Sequence, residues 1–167
     1  MKSRKNNLCK INGDSLRIKE NKMYGKVLAV SLSKNKGTAK EEIKKGILIK
    51  EYGLKGDAHS GKWHRQVSLL GIESINRMKI GDLNIKFGDF AENITTEGIN
   101  LAELSIGTRL KIGEDVLLEI TQLGKVCHHD CEIKKKIGDC VMPREGVFAR
   151  VLHGGLIQAG DNIRTLK

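Results

Sequence analysis

Thr108–Leu123 reads TRLKIGEDVLLEITQL, and its pattern points to the fold. Leu110 and Ile112 alternate with polar residues, Gly113-Glu114-Asp115 supplies turn chemistry, and Val116, Leu118 and Ile120 alternate again. A period of two on both sides of a glycine turn predicts a β-hairpin with one apolar face. Working outward, GKVLAVSLS from Gly25, ILIKEY from Ile47, RQVSLL (Arg65 to Leu70) and ENITTEGI read as further strands. GVFARVLHGGLIQAGDNIRTL, from Gly146, reads as two or three more, joined at Gly154-Gly155 and Gly160-Asp161. SKNKGTAKEE reads as a charged connection, and GLKGDAHSGKWH, from Gly53, as a glycine-rich loop. GIESINRMKIGDL carries Ile72, Ile75, Met78 and Ile80 in a weak helical pattern that ends at Gly81. Strands outnumber helices and turns recur about every ten residues, so the expected class is mainly β with a few helices, a barrel or sandwich.

The chain has 167 residues, enough for one domain with a substantial core. Its formal charge is +10, and residues 1–22 carry seven Lys/Arg against Asp14 and Glu20, a net of +5. That stretch lacks apolar periodicity and reads as a basic, disordered extension, with the domain itself expected over 23–167. A basic balance favours anionic partners, but aromatics are only 4% of residues, which argues against base stacking and nucleic-acid binding. The longest apolar runs are about six residues against the ~20 of a spanning helix, and no apolar run follows the basic N-terminus. The expectation is a soluble cytoplasmic protein in no contact with membrane. There thiols stay reduced, so cysteines point to metal binding or catalysis rather than to disulfides.

Chemistry concentrates in GKVCHHDCEIKKKIGDC, Gly124 to Cys140, which holds Cys127, Cys131 and Cys140; the fourth cysteine, Cys9, lies in the extension. Thiolates are nucleophiles and soft metal ligands. With His128 or His129 the three cysteines could compose a zinc site, although C-x3-C followed by one distant cysteine is an incomplete pair of pairs. The loop GLKGDAHSGKWHR holds Asp57, His59, Lys62, His64 and Arg65 among glycines whose backbone can approach an anion closely. Arg65 is expected to open the next strand and reach towards a phosphate. A polar turn in which Asp57 and His59 satisfy each other is the plain alternative. Asn93 is a candidate either for ligand contact or for tying up its own loop. Arg144 and Arg150 add positive charge close to the cysteines in sequence.

Taken in order, GLKGDAHSG with RQVSLL, GDFAENITTEG, IGTRLKIG, GKVCHHDCEI and EGVFARVLHGG with its GDNI ending resemble the MOSC domain, the C-terminal domain of molybdenum cofactor sulfurases and its stand-alone bacterial relatives. The resemblance covers about residues 23–166. It implies a MOSC-type β-barrel that binds molybdopterin-type molybdenum cofactor, with one functional cysteine. Cys131-Glu132-Ile133 best matches the family's cysteine context, making Cys131 the implied metal ligand or sulfur carrier and Cys127 its competitor. The cofactor's phosphate implies a role for Lys62, Arg65 and Arg150, with Asp57, His59 and Asn93 as further pocket candidates. Two activities follow from the resemblance: cofactor sulfuration, carriage or delivery to molybdoenzymes, or a small reductase of N-hydroxylated compounds. The chain is too short to include the sulfurases' pyridoxal-phosphate domain, so partners that make or use the cofactor and an external sulfur or electron donor are expected. A zinc-stabilised basic binding module is the reading from another class.

Overall fold

The computed structural model describes residues 23–78, 82–127 and 131–166. The basic extension 1–22, Ile80, Gly81, His128 and His129 therefore lie outside the described residues. Eleven strands and three short helices are described: β1 Tyr24–Leu32, β2 Glu41–Ile43, β3 Lys45–Ile49, β4 Gly53–Leu54, β5 Val67–Gly71, α1 Ile72–Asn76, β6 Ile94–Glu97, β7 Arg109–Ile112, β8 Val116–Leu123, α2 Glu132–Ile137, α3 Met142–Glu145, β9 Val147–His153, β10 Gly155–Gln158 and β11 Asn162–Leu166.

The hairpin is β7–β8, with Leu110 opposite Leu118 and Ile112 opposite Val116, all four without solvent exposure. Gly113 takes a φ of 56°, the left-handed turn conformation that glycine adopts without strain. From this hairpin the sheet runs β11-β7-β8-β9-β5-β6-β1-β2, and β1 also pairs with β11. The extra pairing closes seven strands into a mixed barrel, with β2 as an appendage on β1. Closure leaves the barrel strands without free edges. Val67, Leu69, Val147, Ala149, Leu118 and Ile120 point inward and join one core cluster. The second sheet, β10-β3-β4, adds Leu48, Leu54 and Ile157 to that cluster.

One pair, β5–β6, is parallel, and this positions the site. Parallel neighbours need a long crossover rather than a tight turn. Here the crossover carries α1 and the loop through Phe90 to Asn93 along the outside of the barrel. Leu70 and Phe148 face outward from β5 and β9, and a second apolar cluster forms on them from Ile75, Phe90, Ile133, Cys140, Val141 and Met142.

Several local expectations need correction. β2 begins on the last two residues of SKNKGTAKEE and runs on to Ile43, and β4 opens the glycine loop. Strand β3 begins at Lys45 rather than Ile47, and β5 at Val67 rather than Arg65. The helix at Ile72 covers only Ile72–Asn76. Within the cysteine segment, Ile133 and Ile137 sit four apart on α2 and both pack on the outer cluster, with Gly138 closing the helix at a φ of 86°.

Candidate functional site

A cleft of about 340 Å³ opens beside the outer cluster. One wall comes from the glycine loop (His59, Trp63, Arg65) and one from Lys125, Cys127 and Cys131; Ser68, Asn93 and Phe148 form the floor. The floor follows from register: Ser68 on β5 lies opposite Phe148 on β9, both on the outer face. Asn93 is almost fully buried and ties this floor together. Its Oδ1 accepts from the Ser68 N–H and hydroxyl at 3.1 Å each, and its Nδ2 donates to the Ser31 carbonyl. Asn93 thus lines the cleft while its side-chain groups brace β1, β5 and the start of β6.

The loop is organised by Asp57, which lies behind the cleft wall. Its Oδ1 accepts from the Ser33 N–H at 3.0 Å and from the Lys40 ammonium at 2.5 Å, while Oδ2 accepts from the His59 N–H at 3.0 Å. Both side chains of the Lys40–Asp57 pair are buried, at 1% and 0% exposure. Burial by itself would raise the Asp57 carboxyl, but His59, Lys40 and the Ser33 N–H hold it well below the usual carboxylate range. Burial lowers the Lys40 ammonium, against the opposing pull of Asp57. Gly88 makes room for Lys40: it has a φ of +89°, and a Cβ there would sit 2.3 Å from the Lys40 carbonyl oxygen. Glu92, fully buried, takes N–H donors from Gly88 and Phe90 and the Thr95 hydroxyl, which fixes the crossover loop; burial pushes its carboxyl up.

Arg65 lies against two aromatic rings, its guanidinium carbon 4.7 Å from the Trp63 centroid and 5.6 Å from that of Phe148. Trp63 is itself anchored by its indole N–H, which donates to the His59 carbonyl at 2.7 Å. The Arg65 Nε is buried without a hydrogen-bond partner. A buried unpaired donor costs about 1–3 kcal/mol, so this one calls for an acceptor. Cys127 and Cys131 are half-buried on the facing wall, whereas Cys140 is buried in the outer cluster, where burial raises its thiol.

The structure therefore brings together Cys127, Cys131, His59, Arg65 and Asn93. It does not bring Lys62 and Arg150 to that cleft. They line a separate hollow with Glu51, His64, Gln66 and Thr121, on the other side of Trp63. Arg150 is paired there with Glu119, at 2.9 Å from Nη2. Arg144 is engaged with Asp139. Among the described residues, no group of three or more His, Cys, Asp or Glu is arranged to hold a metal ion; the histidines needed for the zinc reading, His128 and His129, are not among them. Sequence reasoning passed over Lys40 and Trp63. No helix among the described residues is long and apolar enough to cross a membrane.

The family model of the MOSC domain matches residues 56–164 of the chain. Among solved structures, the YuaD protein of Bacillus subtilis superposes with a TM-score of 0.72 at 20% identity, covering 86% of this chain and 96% of that one. YiiM from Geobacillus stearothermophilus gives 0.65 at 17% identity, covering 86% and 75%. YiiM from Escherichia coli gives 0.59 at 17%, covering 87% and 70%. No curated protein sequence matches the chain.

Proposed function

Because the chain belongs to the MOSC domain family, we propose that the cleft binds a molybdenum–pterin cofactor and that the protein serves in its sulfuration, carriage or delivery to molybdoenzymes. One observation carries this reading: two half-buried thiols and a guanidinium with an unpartnered buried Nε face one cleft. The donor set fits the group. Arg65, held against Trp63 and Phe148, would pair with a phosphate or pterin oxygen, and Lys125 adds a second cation to the rim. Cys131, with Cys127 beside it, would offer soft sulfur to a soft, sulfur-ligated metal. When bound, the cofactor supplies a metal centre that can take up or release sulfur. The protein's own residues bind, orient and half-enclose it. A sulfur donor and a receiving enzyme are external partners in this reading.

The test is to express the protein in a host that makes the cofactor and to measure bound molybdenum and pterin in wild type, Arg65→Ala and Cys131→Ala. Co-purifying pterin that falls at least about tenfold in Arg65→Ala is expected, equivalent to one lost charge-assisted hydrogen bond. Absence of pterin from the wild type, or equal loading of wild type and Arg65→Ala, overturns the reading. Equal loading in Cys131→Ala moves the thiol role to Cys127.

A further inference from the structure

The Lys40–Asp57–His59 cluster has no part in the function as proposed so far, yet one of its members faces the cleft. The Lys40 Nζ lies 3.2 Å from His59 Nδ1 and 2.5 Å from Asp57 Oδ1. We propose that Lys40 is a positioning residue that fixes His59 as the Nε2–H tautomer, so that the imidazole meets the ligand as a hydrogen-bond donor to an anionic oxygen.

The argument is one of donor and acceptor counting. An ammonium carries three donors and no acceptor. A ring nitrogen within hydrogen-bond distance of it must present its lone pair, and the single proton of the neutral imidazole then sits on Nε2. The competing arrangement is an Nδ1–H donating to Asp57. It would have to span 3.7 Å to Oδ2, a longer and weaker contact than the 3.2 Å to Lys40 even though the ring's proximity helps to hold the Asp57 carboxyl down, and that oxygen already accepts the His59 backbone N–H. With Nδ1 committed to Lys40, the Nε2 edge is what the partly exposed ring, at 30%, has left to offer. His59 lines the cleft together with Arg65 and Lys125, both donors only. The Ser68 and Asn93 side chains on the floor are already bonded to each other. Apart from the two cysteine sulfurs on the opposite wall, the polar side chains left for a ligand are thus donors, which complements a phosphate or another oxyanion. This ligand class deepens the cofactor reading and rests on it only for the identity of the molecule that carries the oxyanion.

Nitrogen-15 NMR of the imidazoles at about pH 8.5, two units above the ordinary histidine value, reads the tautomer directly. His59→Gln assigns the His59 signals. The wild type is expected to show an unprotonated Nδ1 and a protonated Nε2. Lys40→Gln, whose amide oxygen can accept from Nδ1–H, is expected to populate the other tautomer, and Lys40→Arg, again donor-only, to restore the first. Titration with inorganic phosphate supplies the second arm: Lys40→Gln is expected to bind about tenfold more weakly than wild type, one hydrogen bond's worth. A merely structural Lys40 would lower stability in its variants without moving the tautomer. An Nδ1–H signal in the wild type overturns the proposal, even if Lys40→Gln fails to fold. So does an unchanged tautomer in folded Lys40→Gln. Unchanged phosphate affinity after the tautomer has moved, or no saturable phosphate binding by wild type, removes the oxyanion half. Neither arm uses the cofactor, so a purified protein without pterin would sink the cofactor reading and leave this one intact.

Discussion

Asp57→Asn isolates the ion pair that holds the cleft wall. The amide keeps the shape of the carboxylate but removes its charge, leaving the Lys40 ammonium at 1% exposure without the carboxylate it is paired with among the described residues. Removing one partner of a buried pair costs about 3–5 kcal/mol. For a domain of this size that corresponds to a fall in melting temperature of about 6–20 °C. The pH dependence has a definite sign. The folded-state Asp57 carboxyl is held below its unfolded value, so its stabilisation is fully present above about pH 4 and is lost as pH falls from there towards the folded value. At the alkaline side, Lys40 is already lowered by burial, and without Asp57 it loses the two largest interactions that oppose that lowering, keeping only the weaker pull of Glu92. The variant therefore recovers stability as pH rises through the lowered folded-state value of its ammonium, which lies below the ordinary lysine range. The difference between wild type and Asp57→Asn is expected to peak near neutrality and to shrink towards both pH 3 and pH 10. Urea unfolding across that range measures it. A difference below about 1 kcal/mol at pH 7, no larger than that of an exposed pair, would refute the reasoning, as would a difference that persists unchanged at pH 3.

Two further outcomes follow from the packing. Gly88→Ala places a Cβ in a left-handed backbone against the Lys40 carbonyl oxygen, 2.3 Å away, and is expected to cost about 2–5 kcal/mol in urea unfolding; a change under about 0.5 kcal/mol would show that the crossover loop yields freely. Alkylation of the native protein with iodoacetamide, mapped by peptide, is expected to modify Cys127 and Cys131 at least about tenfold faster than Cys140, whose thiol is buried and raised; equal rates would contradict the assignment of Cys140 to the outer cluster.

The barrel was legible where a strand carries its own pattern. The hairpin alternates cleanly because β7 and β8 each have one face in the core, and the turn residues match its register. The short strands β2 and β4 left no trace, since two or three residues cannot display a period. Helix α2 did leave one, Ile133 and Ile137 four apart before Gly138, but the adjacent cysteines drew the interpretation towards metal binding. Of the residues that line the cleft, Cys127, Cys131, His59 and Arg65 stand out in the sequence by their side-chain chemistry. Lys40 does not, because it lies in a charge run that reads as solvated, and only the fold buries it against Asp57, 17 residues on. Arg150 shows the reverse error: it is close to the cysteines in sequence, but its register opposite Glu119 engages it in an ion pair away from them.

Trp63 is the only tryptophan of the chain and lines the cleft beside Arg65, so its fluorescence reports occupancy of that place. The most direct measurement is an anaerobic titration of the purified protein with released molybdenum–pterin cofactor, followed at Trp63 in wild type and in Arg65→Ala. A saturable quench that reaches its end at one equivalent, and that weakens at least about tenfold in Arg65→Ala, is predicted. Cofactor that leaves Trp63 unchanged, or that quenches both proteins alike without saturating, would contradict the claim that this cleft is the binding site.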